Sequence, residues 1–337
     1  MKLHIPQGYK TQLNPRDTQI CIQDVKNDFQ KFFALNLNLQ RASAPLFVVM
    51  GTGINDDLNG VESKVSFRAK DIRGKTIEIV NSLAKWKRML LAKEGFGSGA
   101  GIWTDMNAIR PDERLDNTHS LYVDQWDWER VITRGERNTD FLMAVVTKIF
   151  RAMKMAEREI SDKYSIVPVL PDSIISVSTK ELERLYPKNT RKEREDLIAK
   201  DKGAVFLQGI GWDLEDGKPH DGRAPDYDDW NLNGDIFVWN PILQSSLELS
   251  SMGIRVDQES LIRQLEKRDA LDRKGLKFHK ALLNGKLPLS IGGGIGQSRF
   301  CMLLLQKAHI GEVQASEWPR RMVAELKKHG IELLSID

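Results

Sequence analysis

Residues 290–306, SIGGGIGQSRFCMLLLQ, set four glycines and an arginine between a strand-like LPLSI and an apolar helical run. Glycine-rich loops ahead of helices commonly hold phosphates, because backbone N–H groups and the helix N-terminus point at the anion together. Two familiar forms of that loop are excluded. A dinucleotide fingerprint needs glycines at fixed offsets, yet from Gly292 and Gly294 the third falls on Gln297, and from Gly294 and Gly296 it falls on Arg299. A P-loop needs a following Lys-Ser/Thr pair, which is missing. Only one further strand candidate, IELLSI (331–336), comes after the loop, where a doubly wound sheet needs several. From this segment alone, a tight structural turn stays open.

Composition narrows the class. With 337 residues, 41% of them hydrophobic, the chain can bury a substantial core. Lys and Arg total 50 against 47 Asp and Glu, a balance that gives no electrostatic grip on nucleic acid or an anionic membrane. Cys21 and Cys301 lie far apart without CxxC spacing, so neither a disulfide framework nor a zinc site is indicated, and a reducing cytoplasm suits them. The N-terminal MKLHIPQGYK has no apolar core of a leader, and no apolar run approaches the roughly 18 residues of a membrane helix. No Pro/Gly/Ser-rich linker divides the chain, so a single domain over 1–337 is expected.

Helical periodicity appears at Val25, Phe29, Phe32 and Phe33 after an Asp17/Thr18 cap, and at Leu83, Trp86 and Leu90 after Ser82. Further helices are predicted over 139–162, 257–268 and 300–308, with a charged, solvated one in 188–203 ended by Gly203. Strands are predicted at 46–50, 64–70, 77–80, 101–110, 120–131, 174–178, 204–210, 235–241 and 247–256. Several follow one another without a helix between them. That favours an α+β fold, an antiparallel sheet flanked by helices, over a β-α-β array.

Polar residues inside strands point to a site. Alternation in LYVDQWDWER sends Val123, Gln125, Asp127 and Glu129 to one face and Tyr122, Asp124, Trp126 and Trp128 to the other. In GDIFVWNPILQSSLELSS a turn centred between Pro241 and Ile242 sets Asp235 opposite Glu248. Facing carboxylates call for a cation, and one or two carboxylates shared with substrate phosphates are the usual magnesium site. A surface pair separated by a register shift fits that segment equally well. Lys85, Lys87 and Arg88 crowd the first turns of a helix, where the dipole disfavours cations and exposure is the ordinary outcome. RAPDYDDW sets Asp226, Asp228 and Asp229 near Arg223; such an acidic turn is most often solvated, and the alternative is recognition of a zwitterion.

The order of these segments resembles the catalytic core of class II aminoacyl-tRNA synthetases: a helix and SAPLFVV (motif 1, about 17–50), an arginine at a strand end in AIRPDE with the polar strand (motif 2, about 101–131), and GGGIGQSR (motif 3, about 289–308). NSLAKWKR, RPDE, YVDQWDWERV, APDYDDW, LNGDI, ELSSMGIRVD and IGGGIGQSR are closer still to the ammonia-dependent asparagine synthetases, the aspartate–ammonia ligases, along nearly the whole chain. The resemblance implies a class II synthetase-like catalytic fold, a cytoplasmic homodimer, and a reaction in which the side-chain carboxylate of aspartate attacks the α-phosphorus of ATP. β-Aspartyl adenylate and pyrophosphate result, and ammonia then displaces AMP.

Carried over by position, the resemblance implies that Arg110 and Arg299 hold the phosphates and that Gly292, Gly293, Gly294 and Gly296 let ATP lie against the strand. It assigns magnesium to Asp235 and Glu248, and the aspartate pocket to Ser82, Lys87, Gln125, Asp127, Arg223, Asp228 and Ser251. Asp56, or its neighbour Asp57, is the acid for the incoming ammonia. Strict alternation puts Ser251 on the opposite face from Glu248, which a bulge at Ser250/Ser251 would repair. An asparaginyl- or aspartyl-tRNA synthetase shares the adenylate, but the motif 1 segment begins near residue 17 and leaves no room for an anticodon-binding domain ahead of it. A catalytically inactive aspartate- or ATP-binding relative would not need Arg110, Asp235, Glu248 and Arg299 to be of the required types. Glutamine-dependent chemistry needs a nucleophilic thiol, and Cys21 and Cys301 read as packing residues. Residues 211–222 and the tail from Glu317 carry no assignable motif.

Overall fold

The computed structural model describes residues 3–55 and 63–335, so Asp56 and Asp57 lie outside the described residues. Helix α1 (Pro15–Leu37) is capped by Asn14, whose side chain accepts from Asp17 N at 3.0 Å. The cap lies three residues before the expected Asp17, because Pro15 occupies the first helical position, where a missing N–H costs nothing. The helix buries Cys21, Val25, Phe29, Phe33 and Leu37 at a spacing of four and ends on Asn38 in the left-handed region (φ 56°). Short β1 (Leu39–Arg41) follows at once, and β2 (Phe47–Val49), β3 (Ser66–Phe67) and β4 (Ile77–Ile79) form a small antiparallel sheet in the order β2-β4-β3.

The rest of the chain runs α2 (Ala84–Lys93), β5 (Gly101–Ile109), β6 (Tyr122–Val131), α3 (Thr139–Tyr164), β7 (Ile175–Ser178), α4 (Thr179–Leu185), α5 (Arg191–Lys202) and β8 (Ala204–Gln208). It continues through β9 (Asp228–Asn240), β10 (Ser245–Arg255), α6 (Gln258–Lys267), α7 (Lys277–Leu283), β11 (Ser290–Gly296), α8 (Gln297–Leu304) and α9 (Arg320–Lys328). The main sheet has eight strands in the order β1-β5-β6-β11-β10-β9-β8-β7. Its six inner strands pair antiparallel, as expected, but both edges are parallel, β1 on β5 and β7 on β8. Parallel neighbours need crossovers, and here α4 and α5 bridge β7 to β8, while the small sheet and α2 lie between β1 and β5.

Trp126 and Trp128 of β6 point away from the polar face and are fully buried against α1: Phe29 lies 4.5 Å from Trp126 and Phe33 lies 6.1 Å from Trp128, centroid to centroid. Helices α1 and α3 therefore cover one face of the sheet with the main core, leaving the Gln125, Asp127 and Glu129 face for polar chemistry. The final apolar segment forms no strand over 331–335; Ile331 packs instead with Met322 and Leu326 of α9, whose burial uses the run that looked like a strand.

The β9–β10 register differs from the expectation. Asn240 pairs with Ser245, so the turn is centred one position later, between Ile242 and Leu243. The Asn240 side chain sets it, accepting from Ile242 N at 2.9 Å and Leu243 N at 3.1 Å. Glu248 thus faces Phe237, and after a bulge between Glu248 and Ser250, Asp235 faces Ser251. Asp235 and Phe237 share a face, so Asp235 and Glu248 remain on the same side as diagonal rather than opposite neighbours. The bulge at Leu249, just before the expected position, restores Ser251 to that side as well.

Candidate active site

The polar faces of β6, β10 and β11, the start of α8 and the segment before β9 enclose a cavity of about 430 Å³. Arg110, Gln125, Arg223, Glu248, Ser251, Gly294, Gly296 and Arg299 line it. Arg110 stands just beyond β5, where its N–H donates to Leu121 O at 2.8 Å, and its Nη2 donates to Asn81 O at 3.3 Å. Arg299 lies in the first turn of α8, an unfavourable place for a cation. Its Nη1 donates to Glu248 O at 3.0 Å, and the Glu248 carboxylate lies 3.7 Å away. Two arginines distant in sequence therefore converge on one space.

Asp235 lines an adjoining cavity of about 450 Å³ that shares Glu248, Asp221 and Arg299 with the first. The Asp235 carboxylate is ion-paired to Arg223, which also binds Asp221 at 2.8 Å. Burial first, then the neighbouring carboxylates of Glu248 and Asp221, push Asp235 above the ordinary carboxylate range against the pull of Arg223. Its Oδ1 is buried without a hydrogen-bond partner. The donor set and this orphaned oxygen fit a divalent cation that keeps most of its water or phosphate ligands; among the described residues no cluster of three or more metal-ligating side chains exists.

The family model for aspartate–ammonia ligase matches residues 16–330 of this chain. The chain belongs to the aspartate–ammonia ligase family. An aspartate–ammonia ligase of Clostridium tetani is 56% identical over 334 residues, covering 99% of this chain and 98% of that protein. Another from Limosilactobacillus reuteri is 56% identical over 336 residues, with 99% and 100% covered. Among solved structures, an asparaginyl-tRNA synthetase of Entamoeba histolytica superposes with a TM-score of 0.64 at 12% identity, over 89% of this chain and 67% of that one. The class II synthetase-like catalytic fold is thereby shown.

Behind the cavity wall lies a buried ionic layer. Contrary to the exposure expected from the helix dipole, Lys85, Lys87 and Arg88 are 3%, 0% and 1% exposed. Lys87 Nζ donates to Asp127 Oδ1 at 2.7 Å, Trp128 O at 2.9 Å and Gly293 O at 3.2 Å, so it braces Asp127 and does not line the cavity. Burial pulls Lys87 below the usual lysine range while Asp127 resists the change. Asp127 Oδ2 is buried with no hydrogen-bond partner. Arg88 donates to Val256 O at 2.7 Å and Pro288 O at 2.9 Å.

The acidic turn is not solvated either. Asp226 pairs with Lys85 at 2.9 Å, Asp228 with Arg255 at 2.5 Å, and Asp229 with Arg137. Arg255, which the sequence reading did not single out, also grips Glu129 through Nε at 3.0 Å and Nη2 at 2.8 Å. Alternation had already placed Glu129 on the polar face, and a carboxylate there needed a cation. Asp228 thus sits behind the cavity; half-buried Ser82 does not line it, and its Oγ accepts from Ala84 N at 3.1 Å at the start of α2.

The four glycines divide by what a side chain would meet. At Gly292 a Cβ would lie 2.2 Å from Glu129 Oε2 and 2.5 Å from Arg255 Nη2; at Gly293 it would lie 2.5 Å from Met252 Cβ. Neither residue opens onto the cavity, which corrects the expectation that all four make room for ATP. Gly294 and Gly296 do line it; a Cβ at Gly294 would meet Gln125 Oε1 at 2.6 Å, whereas one at Gly296 would only touch Arg299 at 3.4 Å.

The 211–222 segment, without an assigned role, contributes Asp221 and Gly222 to the cavity and is pinned by buried His220, whose Nε2 lies 2.9 Å from Glu195 Oε1. Cys21 and Cys301 are both fully buried, and burial pushes their thiols up to about 12, as packing residues require. No helix among the described residues is long and apolar enough to cross a membrane.

Proposed function

We propose that this cavity joins ammonia to aspartate at the expense of ATP, through β-aspartyl adenylate, releasing AMP and pyrophosphate. The observation that carries the reading is the convergence of Arg110 and Arg299 on a cavity whose wall includes Gln125 and Ser251 and whose backing is the Asp127–Lys87 pair. An oxygen of the side-chain carboxylate of aspartate forms a bond to the α-phosphorus as the bond to pyrophosphate breaks. Ammonia nitrogen then attacks the acyl carbon, AMP leaves with the bonding pair, and a proton is lost from nitrogen, the task assigned to Asp56.

Positioned guanidinium groups at Arg110 and Arg299 stabilise the charge that develops on phosphorus oxygens. Arg223, on the cavity wall, supplies a cation for the carboxylate of aspartate, and Asp127, behind the wall with Oδ2 unpartnered, supplies negative charge facing its ammonium. Lys87 and Asp228 hold that pocket from behind, and Ser82 is placed at the start of α2 beside it. Asp235 and Glu248 would hold magnesium, which neutralises phosphate charge when bound. Gly294 and Gly296 leave ATP a flat approach to the strand.

The same reading takes residues 1–337 as one catalytic domain and the enzyme as a cytoplasmic homodimer with no nucleic-acid partner. Exposed apolar side chains on α1 and β2, Ile20 at 48%, Leu35 at 71% and Phe47 at 45%, support an interface there. The test incubates purified protein with aspartate, ATP, magnesium and ammonium chloride, with a parallel arm containing total tRNA. Asparagine, AMP and pyrophosphate in equal amounts, with no aminoacyl-tRNA, are expected; ADP and phosphate would overturn the adenylate route.

A further inference from the structure

Helix α8 carries Arg299 but brings no cap of its own. Its N-cap position is Gly296, which has no side chain to accept from the first-turn amides, and those N–H groups otherwise lack intrahelical partners. Asp124 of β6, the strand paired with β11, supplies the acceptor. Its Oδ1 accepts from Ser298 N at 3.1 Å, and its Oδ2 accepts from Ser298 Oγ at 2.8 Å. Gln314 Nε2 closes the ring, donating to Asp124 Oδ1 at 3.1 Å and Ser298 Oγ at 3.0 Å, while Lys26 of α1 approaches Oδ2 at 3.4 Å. Asp124 and Ser298 are 6% and 2% exposed, and Asp124 and Gln314 stand at the cavity wall itself. A carboxylate at a helix N-terminus also opposes the positive end of the dipole.

Arg299 follows Ser298 directly. Its own hold on the cavity wall is loose: Nη1 to Glu248 O at 3.0 Å, a long Nε contact to Thr118 O at 3.4 Å and the Glu248 carboxylate at 3.7 Å. Where the guanidinium points is therefore set by where α8 begins, and Asp124 fixes that start. We propose that Asp124 is a positioning residue for the reaction, a cap supplied by the neighbouring strand that aims Arg299 at the phosphates. The inference rests on the proposed phosphate-holding role of Arg299.

A double-mutant cycle on the full-length enzyme tests it, reading kcat/KM for ATP and Tm for each variant. Asp124→Asn keeps the shape but places an amide donor against either Ser298 or Lys26. It is expected to lower kcat/KM for ATP by about 10-fold to 100-fold, the range of a roughly 1 Å misplacement of a catalytic group. In the Arg299→Lys background the same substitution should add no more than about threefold, because residues that act as one unit are non-additive. Losses that multiply would overturn the inference while leaving the role of Arg299 intact. An Arg299→Lys variant with wild-type kcat/KM would overturn both readings. Should Asp124→Asn fail to fold, Ser298→Ala, which removes one donor from the carboxylate, is carried through the same cycle with the same two outcomes.

Discussion

Alanine at Gly292 is expected to damage the fold rather than the binding of ATP. Its Cβ would stand 2.2 Å from Glu129 Oε2, 2.5 Å from Arg255 Nη2 and 2.6 Å from the carbonyl oxygen of Trp128. The third contact is backbone in the middle of β6, so the side chains must yield, and Glu129 and Arg255 are 0% and 3% exposed with no room to swing aside. Separating a buried pair costs about 3–5 kcal/mol, a large part of the roughly 5–15 kcal/mol that stabilises a typical domain. Urea denaturation followed by tryptophan fluorescence should show a loss of stability of that size for Gly292→Ala, read as a lowered midpoint with the slope unchanged. Gly296→Ala, whose Cβ would meet only Arg299 at 3.4 Å, should stay within about 0.5 kcal/mol of the parent, as substitutions without a clash do. It should instead raise the KM for ATP. A Gly292→Ala enzyme of parental stability with weakened ATP binding would refute the division of the glycines.

Lys87→Met should leave the Asp127 carboxylate buried and unpaired, costing about 3–5 kcal/mol in denaturation and raising the KM for aspartate more than that for ATP. A variant with unchanged stability would remove Lys87 from the bracing layer. Burial holds His309 at about 4, below its ordinary 6.5, so the unfolded chain takes up a proton first as the pH falls. Its contribution of about 3 kcal/mol is fully present above pH 6.5 and is lost progressively between 6.5 and 4; His309→Gln should flatten the fall of Tm in that window, and an unaltered profile would contradict it. Magnesium with ATP should raise the Tm of the parent, and Asp235→Asn should lose the magnesium-dependent part of that rise. An equal rise in both proteins would take Asp235 out of the metal site.

Much of the site is legible in the sequence where a strict period governs side-chain direction. Alternation along Tyr122–Val131 separates Trp126 and Trp128 from Gln125, Asp127 and Glu129, and the fold uses that division, core on one side and site on the other. The acidic hairpin is legible in kind but displaced in register, because Asn240 closes the turn with its own side chain and a bulge at Leu249 shifts the remainder. Buried charges are the least legible. Lys85, Lys87 and the three aspartates of the APDYDDW turn look solvated one at a time, and only tertiary pairing with residues as distant as Arg255 and His279 makes their burial tolerable. Arg255 carries no local signal beyond the demand of Glu129 for a partner. The parallel edge strands are hidden for a related reason, since a three-residue segment such as Leu39–Arg41 has too few positions to show a period.

The most direct test of the proposed chemistry follows the oxygen atoms. Aspartate labelled with ¹⁸O in its side-chain carboxylate is converted to completion with ATP, magnesium and ammonia, and the nucleotide and phosphate products are analysed by mass spectrometry. Attack of the carboxylate on the α-phosphorus should deliver one labelled oxygen to AMP and none to pyrophosphate. Label in inorganic phosphate, with ADP as the nucleotide product, would contradict the adenylate account.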